Sequence, residues 1–444
     1  MNSVLRTTFV LTGVLFLSVS RPGIAKQPNY LFFLADDLGW KDLGCYGSTF
    51  YETPHLDKLA SDGMVFTQAY TASTVCSPTR ASVMTGQAPA RHGCTNYGGQ
   101  ISTKHICLPK ALKGGGYQTF FTGKWHIGKM TPSLAGFDVD LEIGARDGTP
   151  EDPKSTRRIT RNTVGYLQEL DGTKPFFAYV NYHAVHLPLR EEPGLVAKYQ
   201  QKLDKSPPKS VGPKGLELER ERVNKQVQNL PEYAAMMEGI DDSVAEILQV
   251  LEAQGLADNT VVIFTSDNGG LSTKPCTSNL PLRAGKGWAY EGGIRVPLIV
   301  KWPGKIEAGV MTDTPITSMD FYPTLEVLAG LSTLDSQHVD GVNFSQVLLG
   351  QAALKRETLY WHYPHYHGAG CIPVGAMRHG DWKLVHWYGE DRYELYNLAK
   401  DLSELHDVSQ SKPEVLKQLQ LQWQNWLQSI PNIKYDNPNT LRKK

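Results

Sequence analysis

Short apolar runs alternate with amphipathic segments along most of the chain. Five runs have the length and composition of buried strands, at residues 29–35, 117–122, 175–182, 261–266 and 296–301. Between them, residues 233–254 place apolar side chains three and four positions apart, and Thr53-Pro54 precedes a shorter helical segment at 55–61. This alternation predicts an α/β fold with a mixed, mostly parallel sheet sandwiched by helices and with ligands beyond the strand C-termini.

The pattern changes after about residue 355. Short aromatic strands at 360–363, 375–377, 383–387 and 393–396 precede a helical segment at 413–428, which predicts a smaller α+β subdomain with an antiparallel sheet. Residues 190–229 are charged and interrupted by proline and glycine, so they form an excursion or lid whose lysines contact an anionic polymer, or simply a solvated loop. We therefore predict a catalytic domain over 26–355 and a C-terminal subdomain over 356–444.

The first 25 residues have the layout of a secretory signal peptide. Arg6 precedes an apolar run at 9–19, and the small residues Gly23 and Ala25 flank Ile24 after a helix-breaking Arg-Pro-Gly. The run is too short for a stable membrane anchor, although an uncleaved anchor is the alternative. We expect cleavage near Ala25 and a secreted or periplasmic protein.

Charge and cysteine content exclude two classes of protein. The 45 basic and 45 acidic residues cancel, which argues against a nucleic-acid binder and favours a small or locally charged substrate. Six scattered cysteines are too few for a disulfide scaffold. A bridge between Cys94 and Cys107 is one possibility that the sequence leaves open.

Several separated motifs together identify a family. They are Cys-Ser-Pro-Thr-Arg at 76–80, Gly-Lys-Trp-His-Ile-Gly-Lys at 123–129, His-Ala-Val-His-Leu-Pro at 183–188, Ser-Asp-Asn-Gly at 266–269, Gly-Lys-Gly at 285–287 and Tyr-Glu-Gly-Gly-Ile-Arg-Val-Pro at 290–297. In this order the chain resembles the type I, formylglycine-dependent sulfatases over nearly all of the larger domain. Residues 375–378 and 382–384 fit the arylsulfatase A and N-acetylgalactosamine sulfatase branch and bacterial carbohydrate sulfatases. The resemblance implies an alkaline-phosphatase-like sheet.

Cys76 is the nucleophile that the resemblance implies. Taken alone, a thiol before Pro78 would be an ordinary half-buried cysteine. In its motif, the resemblance implies that a formylglycine-generating maturation enzyme oxidises it to an aldehyde. One hydroxyl of the hydrated aldehyde then attacks sulfur, and the other expels sulfate by reforming the carbonyl.

Four oxygen donors predict a metal site. Asp36 and Asp37 follow one predicted strand, and Asp267 and Asn268 close another. Alone, the first pair would be a turn or a helix cap. Carboxylate and amide oxygens together suit a hard divalent cation, and the resemblance implies one calcium ion held by all four with the modified Cys76. Magnesium is the alternative, and the lack of histidine and thiolate ligands disfavours zinc.

Basic residues complete the implied site. Singly, each would be a surface charge or a structural histidine. The resemblance implies that Arg80 orients the formylglycine and metal ligands and that Lys124 and Lys286 hold sulfate oxygens. It also implies that His126 accepts a proton in the elimination step and that His186 protonates the leaving alcohol, an acid role that Lys286 could share. His183 is a weaker candidate.

Substrate selection is the least defined feature of the sequence. His365 and His367 lie in an aromatic segment that suits sugar binding or, equally, a packed hairpin, and Arg295 belongs to a family motif without a settled role. We expect an exo-acting sulfatase of sulfated polysaccharide degradation, acting on a galactose or N-acetylgalactosamine sulfate. A phosphomonoester or phosphonate hydrolase with the same formylglycine and an inactive saccharide-binding pseudoenzyme are the competing hypotheses.

Overall fold

Nine of the fifteen strands in the described residues form one mixed sheet, which is the larger part of the protein. The computed structural model describes residues 27–209, 216–274 and 276–431, so the predicted signal peptide lies outside the described residues. The strands are β1 Asn29–Ala35, β2 Met64–Tyr70, β3 Gln118–Gly123, β4 Val139–Glu142, β5 Phe176–Asn181, β6 Leu216–Glu219, β7 Arg222–Lys225, β8 Thr260–Ser266, β9 Arg295–Lys301, β10 Val310–Thr312, β11 Ile316–Thr317, β12 Thr358–Tyr363, β13 Val374–His379, β14 Trp382–Trp387 and β15 Arg392–Asn397.

Strand order confirms the expected mostly parallel sheet. The order is β10-β2-β9-β8-β1-β5-β3-β4, with β11 also paired to β2. The central strands β8, β1, β5 and β3 are parallel, whereas β9 runs antiparallel to both of its neighbours. The C-terminal ends of the four central strands therefore meet at one edge of the sheet.

Helices cover both faces of this sheet, which explains why β1, β5 and β8 are buried at every position. From β1, Leu31 and Phe33 belong to one core and Tyr30 and Phe32 to the other. The helices are α1 Pro54–Ser61, α2 Cys76–Thr85, α3 Pro89–His92, α4 Leu108–Gly114, α5 Pro132–Ala135, α6 Thr156–Gln168, α7 Pro193–Lys205, α8 Pro231–Ala253, α9 Glu291–Ile294, α10 Phe321–Leu328, α11 Ser345–Leu348 and α12 Pro413–Gln428. Among the described residues, none of these helices combines the length and apolarity needed to cross a bilayer.

A separate antiparallel sheet of β12, β13, β14 and β15 follows, as expected for a C-terminal α+β subdomain. Helix α12 packs on it through Trp423, which joins Met377 and Leu384 in a small core. The exact boundary at residue 355 stays a prediction.

Buried ion pairs join the subdomain to the larger sheet. The ammonium of Lys383 on β14 lies 2.9 Å from a carboxylate oxygen of Glu291 and 2.9 Å from one of Glu404, and all three side chains are fully buried. A cation shared between two buried carboxylates stabilises this contact only while all three members are present.

The charged segment at 190–229 contains helix α7 and the hairpin of β6 and β7. Two of its lysines are held by protein carboxylates, since Lys198 and Lys202 both pair with Glu52. These two ammonium groups are thus neutralised within the fold.

All six cysteines are free thiols, so the possible bridge between Cys94 and Cys107 does not form. Both side chains are packed among apolar residues of the same core. Burial raises the pKa of each thiol to about 12, which keeps both protonated at neutral pH.

Candidate active site

Polar side chains gather where the central strands end. Asp36 and Asp37 follow β1, Asp267 and Asn268 follow β8, Lys124 and His126 follow β3, and His183 and His186 follow β5. Parallel strands place these four loops side by side, so residues far apart in sequence become neighbours. The edge is the ligand-binding position expected for an open α/β sheet.

Two lysines neutralise the paired carboxylates. The Lys124 ammonium contacts Oδ2 of Asp36, and the Lys286 ammonium contacts Oδ1 of Asp37. Burial raises the pKa of both carboxyls, but the neighbouring ammonium groups outweigh it and hold the pKa of Asp36 well below its usual range and that of Asp37 below it too. Both carboxyls are therefore ionised at neutral pH.

Three buried oxygens beside these ion pairs lack a hydrogen-bond donor. They are Oδ1 of Asp36, Oδ2 of Asp37 and Oδ1 of Asn268. The Asn268 amide donates to Oδ1 of Asp37 over 2.8 Å, which leaves its own oxygen free to act as an acceptor. Buried acceptors without donors are costly, and an oxygen-seeking cation would satisfy all three.

A carboxylate oxygen of Asp36, a carboxylate oxygen of Asp267 and Sγ of Cys76 lie within 4.8 Å of one another. All three side chains are buried. The residues expected to hold the metal are thus brought together, and their donor set fits a hard divalent cation.

Cys76 begins helix α2, next to a histidine. Its Sγ lies 3.3 Å from Nδ1 of His126 and is almost fully buried. Burial raises the pKa of this thiol despite the nearby Lys124 and Lys286. Burial, followed by the positive charge of Lys124, lowers the pKa of His126 to about 3, so its imidazole is neutral at physiological pH.

Arg80 lies one turn further along α2 and links the loops that follow β8 and β3. Its Nε and a terminal nitrogen approach the same oxygen of Asp267 at 2.8 and 2.7 Å, and another terminal nitrogen donates to the carbonyl of Lys124 over 2.6 Å. The guanidinium is 1 % exposed. Its position suits orientation of metal ligands rather than contact with solvent.

Asp37 and His126 share an unusual backbone conformation. Both have φ of 65°, in the left-handed region that non-glycine residues seldom adopt. Such strain persists only where the surrounding structure enforces it, and it is concentrated at functional sites. Here it occurs at the carboxylate that contacts Lys286 and at the imidazole that contacts Cys76.

His186 is more exposed than the neighbouring His183. Its side chain is 38 % exposed, and Nε2 lies 3.8 Å from Oδ2 of Asp37. The buried His183 instead contacts the carbonyl of Ile143 through Nε2 at 2.8 Å. His186 thus faces the entrance, whereas His183 is tied to the fold.

Sequence reasoning missed Lys154, which donates to the main-chain carbonyl of His186. It precedes α6 in an Asp-Pro-Lys-Ser-Thr segment that has no motif character. No local signal could have revealed it, because the contact joins the loops that follow β4 and β5.

The C-terminal subdomain supplies one wall of the site. Nε2 of His365 lies 3.0 Å from Oγ1 of Thr95, and the hydroxyl of Tyr363 donates to Asn96 over 3.0 Å. His367 packs so closely on Gly287 that a Cβ there would lie 2.3 Å from its ring.

Arg295 is engaged by the protein itself. Its Nε donates to the carbonyl of Thr67 over 2.7 Å, a terminal nitrogen lies 3.3 Å from Glu291, and the guanidinium lies over the Trp40 ring. Every one of these contacts is structural. A role in substrate binding stays a prediction.

Comparisons with known proteins agree with this geometry. Residues 28–331 match the sulfatase family model, and residues 284–430 match the model of the N-sulphoglucosamine sulphohydrolase C-terminal region. A sulfatase from Formosa agariphila is 30% identical over 91% of this chain and 88% of its own length, and human N-acetylgalactosamine-6-sulfatase is 33% identical over 87% and 77%. The crystal structure of Ps i-CgsB in complex with k-i-k-neocarrahexaose superposes with a TM-score of 0.78 at 27% identity, covering 94% of this chain and 96% of that one.

Proposed function

The chain belongs to the sulfatase family and is a sulfuric ester hydrolase, and from this premise we propose that it acts on a sulfated saccharide of galactose or N-acetylgalactosamine type. One observation supports the chemistry above all. Three buried carboxylates, a buried amide oxygen and Cys76 converge with Arg80, Lys124 and Lys286 at a single strand edge. Such a site binds an anion and a cation side by side.

We propose that Cys76 is converted to formylglycine. The raised pKa of the buried thiol argues against its use as an ordinary thiolate nucleophile. Formylglycine supplies, when hydrated, one hydroxyl for attack on sulfur and a second for release of the product. Nδ1 of His126 lies 3.3 Å from the sulfur position, so this imidazole is placed to accept the proton of the release step.

The metal in this proposal is calcium. Asp36, Asp37, Asp267, Asn268 and the modified Cys76 would hold it, and the oxygens without donors support that assignment. Magnesium, which needs a stricter octahedral site, is the alternative. When bound, the cation lowers the pKa of the nucleophile and polarises a sulfate oxygen.

The basic side chains of the site have separate roles in this proposal. Lys124, which pairs with Asp36, and Lys286, which pairs with Asp37, hold sulfate oxygens. Arg80 keeps Asp267 and the Lys124 loop in place. His186 is exposed enough to meet the departing alcohol and to protonate it. Negative charge developing on the leaving oxygen is thereby neutralised in a water-poor site.

The saccharide would contact His365 and His367, on the wall formed by the C-terminal subdomain, and Arg295 remains a weaker substrate contact. Two compared proteins support a sugar substrate, because one is named for N-acetylgalactosamine 6-sulfate and another is bound to a neocarrahexaose. Export by a cleaved signal peptide would bring the enzyme to such polymers outside the cytoplasm, where we place it.

Two measurements test this proposal. Mass spectrometry of the peptide containing Cys76 should show the mass loss of thiol-to-aldehyde conversion in protein made with a maturation enzyme. Matched aryl sulfate and aryl phosphate esters should then show faster sulfate release. Phosphate release as the faster reaction, or full turnover by protein with an unaltered thiol, would contradict the proposal.

The Cys76→Ser variant tests the nucleophile directly. A serine sulfate ester has no second hydroxyl to collapse it, so we expect at most one turnover per molecule. Cys45→Ser, a change at a partly buried thiol outside the site, is the matched control and should keep its turnover. Multiple turnover by Cys76→Ser would remove the mechanism.

A further inference from the structure

Lys154 is a buried cation at the edge of the active site that belongs to no family motif. Its side chain is 7 % exposed, and its ammonium donates to the main-chain carbonyl of His186. An ammonium has three hydrogens to donate, and this contact uses one of them.

The charge of Lys154 is not neutralised by a neighbouring acid. Within the described ranges, no carboxylate lies within ion-pair distance of its ammonium, whereas Lys124 and Lys286 each contact an aspartate directly. Burial lowers the pKa of Lys154 to about 8, although the more distant charges of Asp36 and Asp37 oppose the shift. A buried ammonium that no carboxylate neutralises is costly, and an anion bound beside it would offset that cost.

The position of Lys154 distinguishes it from the two lysines of the sulfate pocket. The ammonium groups of Lys124 and Lys286 contact the carboxylates that follow β1, whereas that of Lys154 donates to the backbone carbonyl of His186. His186 protonates the leaving alcohol in the proposed function, so a cation held at the backbone of His186 is placed near the sugar that carries this alcohol.

We propose that Lys154 binds a second anionic substituent of the saccharide, other than the sulfate that is hydrolysed. The inference rests on the proposed function and deepens it, since it defines the substrate class as a sugar with at least two negative groups. A second sulfate ester and a uronic carboxylate both provide the chemistry that an ammonium recognises.

The test compares three probes on wild-type protein and on Lys154→Met, which keeps the length of the side chain and removes its charge. The probes are a monosulfated N-acetylgalactosamine, its disulfated counterpart and a monosulfated disaccharide with a uronic acid. The rate of sulfate release gives kcat/KM for each probe. Dividing the kcat/KM of each dianionic probe by that of the monosulfated sugar gives two ratios. Comparison of these ratios shows whether Lys154 binds a second sulfate or a carboxylate.

We expect wild-type protein to prefer one dianionic probe, and we expect Lys154→Met to reduce that preference by about 10-fold or more, as for loss of one hydrogen bond to a charged group. Lys154→Arg should retain it. Lys305→Met is the charge-matched control, because this exposed lysine follows β9 at the opposite edge of the sheet and should leave the preference intact.

Each other outcome overturns the proposal in a different way. An unchanged ratio means that Lys154 binds no second anion, and an equal loss on all three probes means that it acts on His186 or on the hydrolysed sulfate. Release of sulfate from none of the probes by matured wild-type protein would refute the proposed function as well.

Discussion

Replacing His92 with asparagine should change how the stability of the protein depends on pH. His92 ends helix α3 beside α2, is 4 % exposed, and accepts a hydrogen bond from the amide of Cys94 at Nδ1 over 3.2 Å. Its Nε2 therefore holds the proton and donates to Oγ of Ser82, 3.0 Å away. A second proton on Nδ1 would face the Cys94 amide, so the fold favours the neutral ring.

The size of the effect follows from linkage. Burial, followed by the charge of His105, lowers the pKa of His92 to about 3, whereas an unfolded histidine titrates near pH 6.5. Its contribution to stability is complete above the unfolded pKa and is lost as pH falls towards the folded one. Between about pH 7.5 and about pH 4.5 the wild type should lose roughly 2.7 kcal/mol that an untitratable side chain does not lose.

Urea unfolding of both proteins at the two pH values measures this contribution. His92→Asn keeps an acceptor for the Cys94 amide but leaves a small cavity, so it should be less stable at the higher pH. The gap between the two proteins should shrink by roughly 2.7 kcal/mol at the lower pH. Buried carboxyls with raised pKa, such as Asp42, act oppositely but equally in both proteins. A gap that stays constant would refute the reasoning.

Three further predictions concern ions and ion pairs. Arg80→Lys cannot keep both contacts of the guanidinium with Asp267, and we expect a fall in kcat of about 100-fold or more in sulfate-release assays. Lys383→Met leaves Glu291 and Glu404 facing each other, so the free energy of unfolding in urea should fall by about 3 to 5 kcal/mol. A metal chelator should abolish activity and lower the melting temperature, and added calcium should restore both; unchanged values would contradict the metal assignment.

The sequence predicted which polar residues meet at the strand ends because that signal is local. Each strand end delivers its polar residues within two or three positions, as at Asp36 and Asp37, and buried parallel strands are recognisable by their apolar runs. β1 was therefore predicted to the residue, whereas the edge strand β4, which is largely exposed, was missed.

Contacts between distant segments could not be predicted in this way. The donation from Lys154 to His186 spans 32 positions, and the contact of Thr95 with His365 spans 270. Neither residue pair leaves a periodic or compositional signal, since each depends on how two loops meet after the sheet has formed. The buried triad around Lys383 is hidden for the same reason.

The wall formed by His365 and His367 belongs to a different sheet from the residues around Cys76. The hydrolytic residues are fixed to the large sheet, while this wall extends from β12 of another sheet and only leans on Thr95 and Gly287. Under the proposed function, insertions or exchanges between β12 and β13 would therefore alter which saccharide is bound without disturbing bond cleavage. A related protein that acts on a different saccharide is therefore expected to differ first in this segment.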